Sequence, residues 1–249
     1  MLLRRITEHV KAQNWTAIAL DFVIVVTGVY LGLQVQEWSV ERDRQRSEGQ
    51  YLTRLHSEVV QLIEDRRIYD ASRPERAALL LDIVDALQSG DGRGSLSARH
   101  CLIISASTYT TVPPAELPTA MEMLSAGRLE QIVSSEVRLA VLEFSQQVAR
   151  ATHLIDVIDA RMSDLVVKHP DKIKAGVTID ESFLDGVEEN NDCDFQSMRT
   201  DPHFMNDLTM NAYRYQGYVK RGILPVSAKL GALHAVLDDA LSFRHEENL

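Results

Sequence analysis

The sequence predicts an all-α membrane protein: a single N-terminal transmembrane helix that continues into a long stem helix, followed by an antiparallel extracytoplasmic helical bundle. Three observations predict this. One stretch, Trp15 to Trp38, is apolar enough to cross a bilayer. The residues after it repeat at helical steps between proline, glycine and capping signals. Strand signals are sparse, with Leu102 to Thr111 the one β-branched run, and that run is ambiguous.

Residues 1–14 (MLLRRITEHVKAQN) form a cytoplasmic leader. Leu2, Leu3, Ile6 and Val10 recur at helical spacing with Arg and Lys between, the pattern of an amphipathic helix lying in a membrane interface. Residues 15–38 are the transmembrane helix. A bilayer needs about 20 mostly apolar residues, and tryptophans belong at its interfaces, where Trp15 and Trp38 stand. The apolar run outlasts a signal-peptide core and ends in Gln-Val-Gln-Glu-Trp without a small-x-small cleavage site, so an uncleaved anchor is expected. Asp21 lies near the leading interface, where it can snorkel to water or cap the helix. Gly28 and Gly32 form a G-x-x-x-G pair that lets a second backbone approach closely; glycine is also common in membrane helices by chance.

Arg4, Arg5 and Lys11 before the span and Arg42, Arg44 and Arg46 after it tie the positive-inside count. Long following domains translocate largely regardless of charge, so the N-terminus is placed in the cytoplasm and residues 39–249 outside it. With Glu8 and Asp21 set against three basic residues, residues 1–36 carry +1, which leaves −11 of the net −10 for residues 37–249. Such an acidic domain excludes nucleic acid as a partner, since phosphates demand a basic face. The partners expected are the lipid bilayer and other transmembrane helices, from a second copy or a membrane complex.

From Val40 to Ile68 there is no proline, and Tyr51, Leu52, Leu55, Val59, Leu62 and Ile63 mark one helix face. The stem from Trp38 to Tyr69 should reach roughly 48 Å and end before Pro74. Pro74 should open the next helix, which stops at the Gly90–Gly94 turn. Ser95-Leu96-Ser97 starts another, running through Cys101 to about Tyr109, before Val112-Pro113-Pro114 breaks the chain. A short helix from about Glu116 to Ser125 stops at Gly127. Ser134 or Ser135 caps a long helix to about Lys168, with Leu139, Leu142, Val148, Ile155, Ile158, Met162 and Leu165 as its apolar side. Residues 169–200 are the least regular. Asp201-Pro202 starts a helix to about Arg221, and Pro225 opens the last, with Leu230, Leu233, Val236, Leu237 and Leu241.

The leader and span (LRRITEHVKAQNW, then DFVIVVTGVYLGLQVQEW) resemble the N-terminal signature of a family of uncharacterised single-pass membrane proteins of Gram-negative bacteria. Residues 120–144 are similar to that family's middle region, with Ala126, Gly127, Arg128 and Leu129 at the turn and Val137 and Arg138 at the start of the next helix. The resemblance implies one anchor in the bacterial inner membrane and a periplasmic helical domain. It implies no activity, because the family is catalogued as a domain of unknown function.

Catalytic signatures are not found: no phosphate-cradling glycine loop, G-x-S-x-G, H-E-x-x-H or C-x-x-C occurs. His153, Asp156 and Asp159 have a loose metal-like spacing, which reads more simply as a solvated face. Asp201, His203 and Asp207 are similarly weak, with Asp201 needed as a cap. His100 beside Cys101 is a poor thiol–base pair, since neighbours on a helix point about 100° apart. Cys101 and Cys193 are a candidate disulfide, or else two buried thiols. A bridge would close a loop of about 90 residues, stabilising by roughly 4 kcal/mol. Tyr213, Arg214, Tyr215 and Tyr218 are a candidate interaction surface, unless Tyr215 and Tyr218 pack inward. The expectation is a non-enzymatic, membrane-anchored interaction or accessory protein without cofactor or metal. The alternative is a periplasmic small-molecule-binding module.

Overall fold

Pro74 sits inside a helix instead of ending one. The computed structural model describes residues 15–89, 96–179 and 186–242, with the side chains of residues 15–19, 21 and 41 excepted. In it the first helix, α1, runs unbroken over Trp15–Ser89. An interior proline costs about 3 kcal/mol, because it lacks the N–H that would bond four residues back. Burial outweighs that cost. Leu52, Leu55, Val59 and Leu62 are buried before the proline and Ala77, Leu80, Ile83, Val84 and Leu87 after it. Arg66 and Ala77 are both buried and three helical turns apart, so one core-facing stripe keeps phase through Pro74. Each buried Leu, Ile or Val contributes about 1.5–3 kcal/mol, several times the proline penalty in total.

The leader, the Gly90–Gly94 turn and the Asp21 side chain lie outside the described residues, and so do the expectations placed on them. By contact density the chain forms two units, Met1–Tyr51 and Leu52–Leu249. In the first, α1 is the described element, long and apolar enough to cross a membrane. Leu20 and residues 22–40 are exposed: Phe22, Val25, Val29, Leu33 and Trp38 each show more than half of their surface. The Arg42 guanidinium lies 5.1 Å from the Trp38 ring, a cation–π contact at the polar end of the stretch.

The second unit packs the later part of α1 with helices α2 (Ala98–Ser105), α3 (Pro118–Ser125), α4 (Ser135–Asp159), α5 (Leu165–Lys168), α6 (Phe195–Thr200), α7 (Pro202–Gly217) and α8 (Leu224–Leu241). A single turn of 3₁₀ helix, Ala106–Thr108, extends α2, so the ambiguous Leu102–Thr111 run is helical to Thr108 and irregular over 109–111, and none of it is strand. Ser134 caps α4 by accepting from the Val137 amide at 3.2 Å. That helix ends at Asp159, short of Lys168, and its buried face is Val137, Val141, Phe144, Ala151, Ile155 and Ile158. Leu139 and Leu142, expected on that face, are exposed. Gly127 stops the segment after α3 with φ +64°, a left-handed turn that costs glycine little.

A π-helical turn, Tyr218–Ile223, joins α7 to α8. Within it Gly222 lets the chain close on α4, since a Cβ there would lie 3.0 Å from Ile155 Cγ1. The chain direction of α8 follows from its partners: Glu143 of α4 pairs with Lys229, while Ile155 meets Gly222. His56 of α1 likewise meets Asp238, and Asp70 meets Ser227. So α8 runs antiparallel to both.

Two small antiparallel pairs occupy the segment expected to be irregular. Strand β1 (Ile173–Lys174) pairs with β4 (Asp192–Cys193), and β2 (Val177–Ile179) pairs with β3 (Val187–Glu189). The Cys101 and Cys193 sulfurs are bonded, with Cα atoms 5.7 Å apart, tying α2 to β4. One continuous core joins Leu80, Ile104, Ile155, Leu208, Tyr215 and Ile223.

Candidate functional site

A cleft of about 740 Å³ opens between α1, the Val112–Pro118 connection and α4. Its local causes can be read from the residues. Two consecutive prolines, Pro113 and Pro114, offer no N–H and cannot continue a helix, so this connection stays extended. It is held from below by Arg66, which is 1% exposed. Arg66 donates from Nη1 to the Pro114 carbonyl at 2.7 Å, from Nε to Ser227 Oγ at 3.1 Å and from Nη2 to the Ile223 carbonyl at 3.3 Å. Burial lowers the Arg66 pKa, while Asp70, 3.9 Å away, and Tyr218 oppose that shift. Tyr218 secures the other end by donating its hydroxyl to the Thr111 carbonyl at 2.6 Å. Its own pKa is pushed up to about 12, chiefly by burial.

The walls are apolar (Leu62, Val112, Pro113 and Val148) and the acids are Glu58, Asp65 and Glu116. Among the described residues, no basic side chain lines the cleft. Glu58 is committed to structure: it accepts the Thr119 amide at 2.9 Å and hydroxyl at 2.6 Å, at the start of α3, where a carboxylate satisfies orphan donors. Arg54 reinforces this corner, donating to Thr119 Oγ1 and to Glu122 Oε2, each at 2.8 Å. Asp65 accepts from Gln61 Nε2 at 2.8 Å through one oxygen, which leaves its other oxygen and Glu116 facing the cleft. The Ser57 hydroxyl donates to the Arg54 carbonyl, so it is not presented to a base as a nucleophile. The cleft therefore suits neutral or cationic apolar molecules and disfavours anions.

Several sequence candidates are separated by the structure. Tyr215 and Tyr218 are fully buried, edge to face at 5.2 Å, while Tyr213 is 64% exposed and Arg214 half-buried. The four do not form one surface, because 215 and 218 lie one turn apart on the core side of the chain. Asp201 caps α7 by accepting the His203 and Phe204 amides, and His203 points to solvent. Asp207 instead holds His169, at 2.9 Å, and Lys168, at 2.8 Å. Burial raises the Asp207 pKa, but these two partners outweigh it and the net shift is downward. His153, Asp156 and Asp159 lie on the exposed face of α4, with Asp159 accepting from Thr110 Oγ1 at 2.7 Å. His100 accepts from the Ser97 amide as part of a helix cap and Cys101 is bridged, so the two are not a thiol–base pair. Gly28 and Gly32 face open space, with nothing within 4 Å of a Cβ at either.

One constellation was not visible in the sequence. His56, His234 and Asp238 converge from α1 and α8, all half-buried. The i,i+4 spacing of His234 and Asp238 was the available signal; His56 is 182 residues from Asp238. Comparison with protein-family models, with curated proteins and with solved structures finds no match to this chain.

Proposed function

We propose that this is a membrane-anchored, non-enzymatic interaction or accessory protein that works through its N-terminal helix and a helical bundle beyond it. One observation carries the reading. Between Phe22 and Leu33 the helix exposes an extended apolar surface, far larger than an isolated surface leucine, and Gly28 and Gly32 lie open on it. Lipid solvates such a surface, and the glycine pair offers a second helix a place of close approach. The rest of the proposal follows from the sequence: N-terminus cytoplasmic, bulk of the chain periplasmic at a bacterial inner membrane, in the family whose N-terminal signature it resembles. The partner is a second copy or a larger membrane complex.

The test is purification of the full chain from its membrane in mild detergent, beside the Gly28→Leu/Gly32→Leu variant. A defined partner or oligomer that is lost in the variant supports the reading. Recovery of a lone chain of unchanged size in both forms removes the helix contact from it.

The cleft favours a second reading, a small-molecule-binding module. Its volume falls in the range of ligand sites, and its apolar walls with Asp65 and Glu116 suit an amine or quaternary ammonium compound. Saturating tetraalkylammonium or polyamine should then raise the melting temperature of the wild type and not of Asp65→Asn/Glu116→Gln. No stabilisation of either form would count against it.

A further inference from the structure

We infer that His56, His234 and Asp238 form a binding site for a divalent transition-metal ion of the zinc type. Each residue sits one position beyond a buried leucine: Leu55 on α1, Leu233 and Leu237 on α8. The leucines pack into the core, so the polar residues are carried to the edge of the same helix pair. There they meet half-shielded from water, with His56 12% exposed, Asp238 18% and His234 25%.

The geometry is close to that of a three-ligand site. His56 Nε2 is 2.7 Å from Asp238 Oδ1, and His234 Nε2 is 3.7 Å from the same oxygen. All three ligand atoms lie within 4.8 Å of one another. Around a tetrahedral zinc, with bonds of about 2.0 Å, ligand atoms stand about 3.3 Å apart. The two observed separations bracket that value and the third is no more than 4.8 Å, so a closure of at most about 1.5 Å brings the atoms into register. The imidazole rings lie 5.1 Å apart with 24° between their planes, and their distances to Oδ1 place both Nε2 atoms on the carboxylate side.

The donor set decides the class of metal. Two imidazoles and one carboxylate suit zinc, cobalt or nickel; magnesium and calcium require mostly oxygen. Three protein ligands leave a fourth position for water. Two of the ligands come from one helix at i,i+4 and the third from α1, so the ion would clamp the end of α8 to α1. Binding to the folded state alone would then stabilise it.

The test uses the full chain, free of any affinity tag, in mild detergent. Cobalt(II) titration should give an absorption spectrum of tetrahedral intensity that saturates at about one ion per chain and is displaced by zinc. His56→Gln, His234→Gln and Asp238→Asn should each weaken zinc binding at least about 100-fold, beyond the 10–100-fold typical of outer-shell partners. His153→Gln and His203→Gln, on exposed positions elsewhere, should leave it unchanged. A second measurement needs no variant. Histidine modification by diethyl pyrocarbonate, read by mass spectrometry on the wild type, should be blocked by zinc at His56 and His234 and not at His153 or His203. Zinc binding weaker than about 100 µM would overturn the inference, as would binding that survives all three ligand substitutions or leaves His56 and His234 unprotected.

Discussion

Replacing Arg66 by alanine should be among the most damaging single changes in the second unit. The guanidinium is 1% exposed and donates to three acceptors on two other segments: the Pro114 carbonyl, Ser227 Oγ and the Ile223 carbonyl. An orphaned buried acceptor costs about 1–3 kcal/mol. Not all three are orphaned. Ser227 keeps its bond to Asp70 at 2.8 Å, and water reaches Pro114 at the surface. Ile223 caps the start of α8, where its carbonyl also accepts the first intrahelical bond, so the larger cost is the cavity that the stem of Arg66 leaves in a fully buried site. A loss of about 3–5 kcal/mol follows, as for a buried charge network broken from one side. For a unit of this size that is a fall in melting temperature of about 6–20 °C. Far-ultraviolet circular dichroism of the full chain in mild detergent measures it. Arg66→Lys should fall between wild type and alanine, because one ammonium cannot span the three acceptors that the planar fork reaches. Hydrogen exchange across residues 112–118 should also quicken, since the floor of the cleft loses its tie. A fall of less than about 2 °C for Arg66→Ala would refute the reasoning and mean that water, not Arg66, satisfies these carbonyls.

Three other outcomes are expected. Tyr218 is protonated in both states below about pH 10, but above it only the unfolded side chain ionises, so stability falls as pH rises towards about 12. The advantage of wild type over Tyr218→Phe in urea unfolding should therefore shrink above about pH 10; a constant difference would refute it. The lowered Asp207 pKa stabilises the fold above the unfolded carboxyl value and fades as pH falls through the folded one. The melting-temperature gap between wild type and Asp207→Asn should then narrow as pH falls below about 4, and a gap that persists in strong acid would contradict it. Cys101→Ser/Cys193→Ser should cost about 4–5 kcal/mol in the chain-entropy model, given a sequence separation of 92, and unchanged stability would show that the bridge constrains nothing.

Much of the helical architecture was legible because its signals are local. The Ser134 and Asp201-Pro202 caps, the Gly127 stop and the apolar run after Trp15 each act within a few residues. What was not legible depends on distant partners. Pro74 reads as a boundary until the stripe from Leu52 to Leu87 is seen to pack as one face. The long α4 was mis-phased because leucine was weighed above smaller residues: Ala151 and Val141 face the core while Leu139 is 57% exposed. The strand pairs between 173 and 193 carry little alternation, and all of β2 is exposed, so no period-two pattern announced them. At the sites, the sequence grouped Asp207 with His203, its neighbour in the chain, whereas folding pairs it with His169. The cleft depends on Arg66 reaching Pro114, a contact 48 residues apart that no motif encodes.

The measurement that tests the central claim most directly is alkaline carbonate extraction of membranes containing the full chain. The exposed apolar helix from Leu20 to Val40 predicts that the protein stays in the membrane pellet with integral proteins. Release of the chain into the soluble fraction would contradict the anchor, and with it the proposal that this protein works at a membrane through its helix.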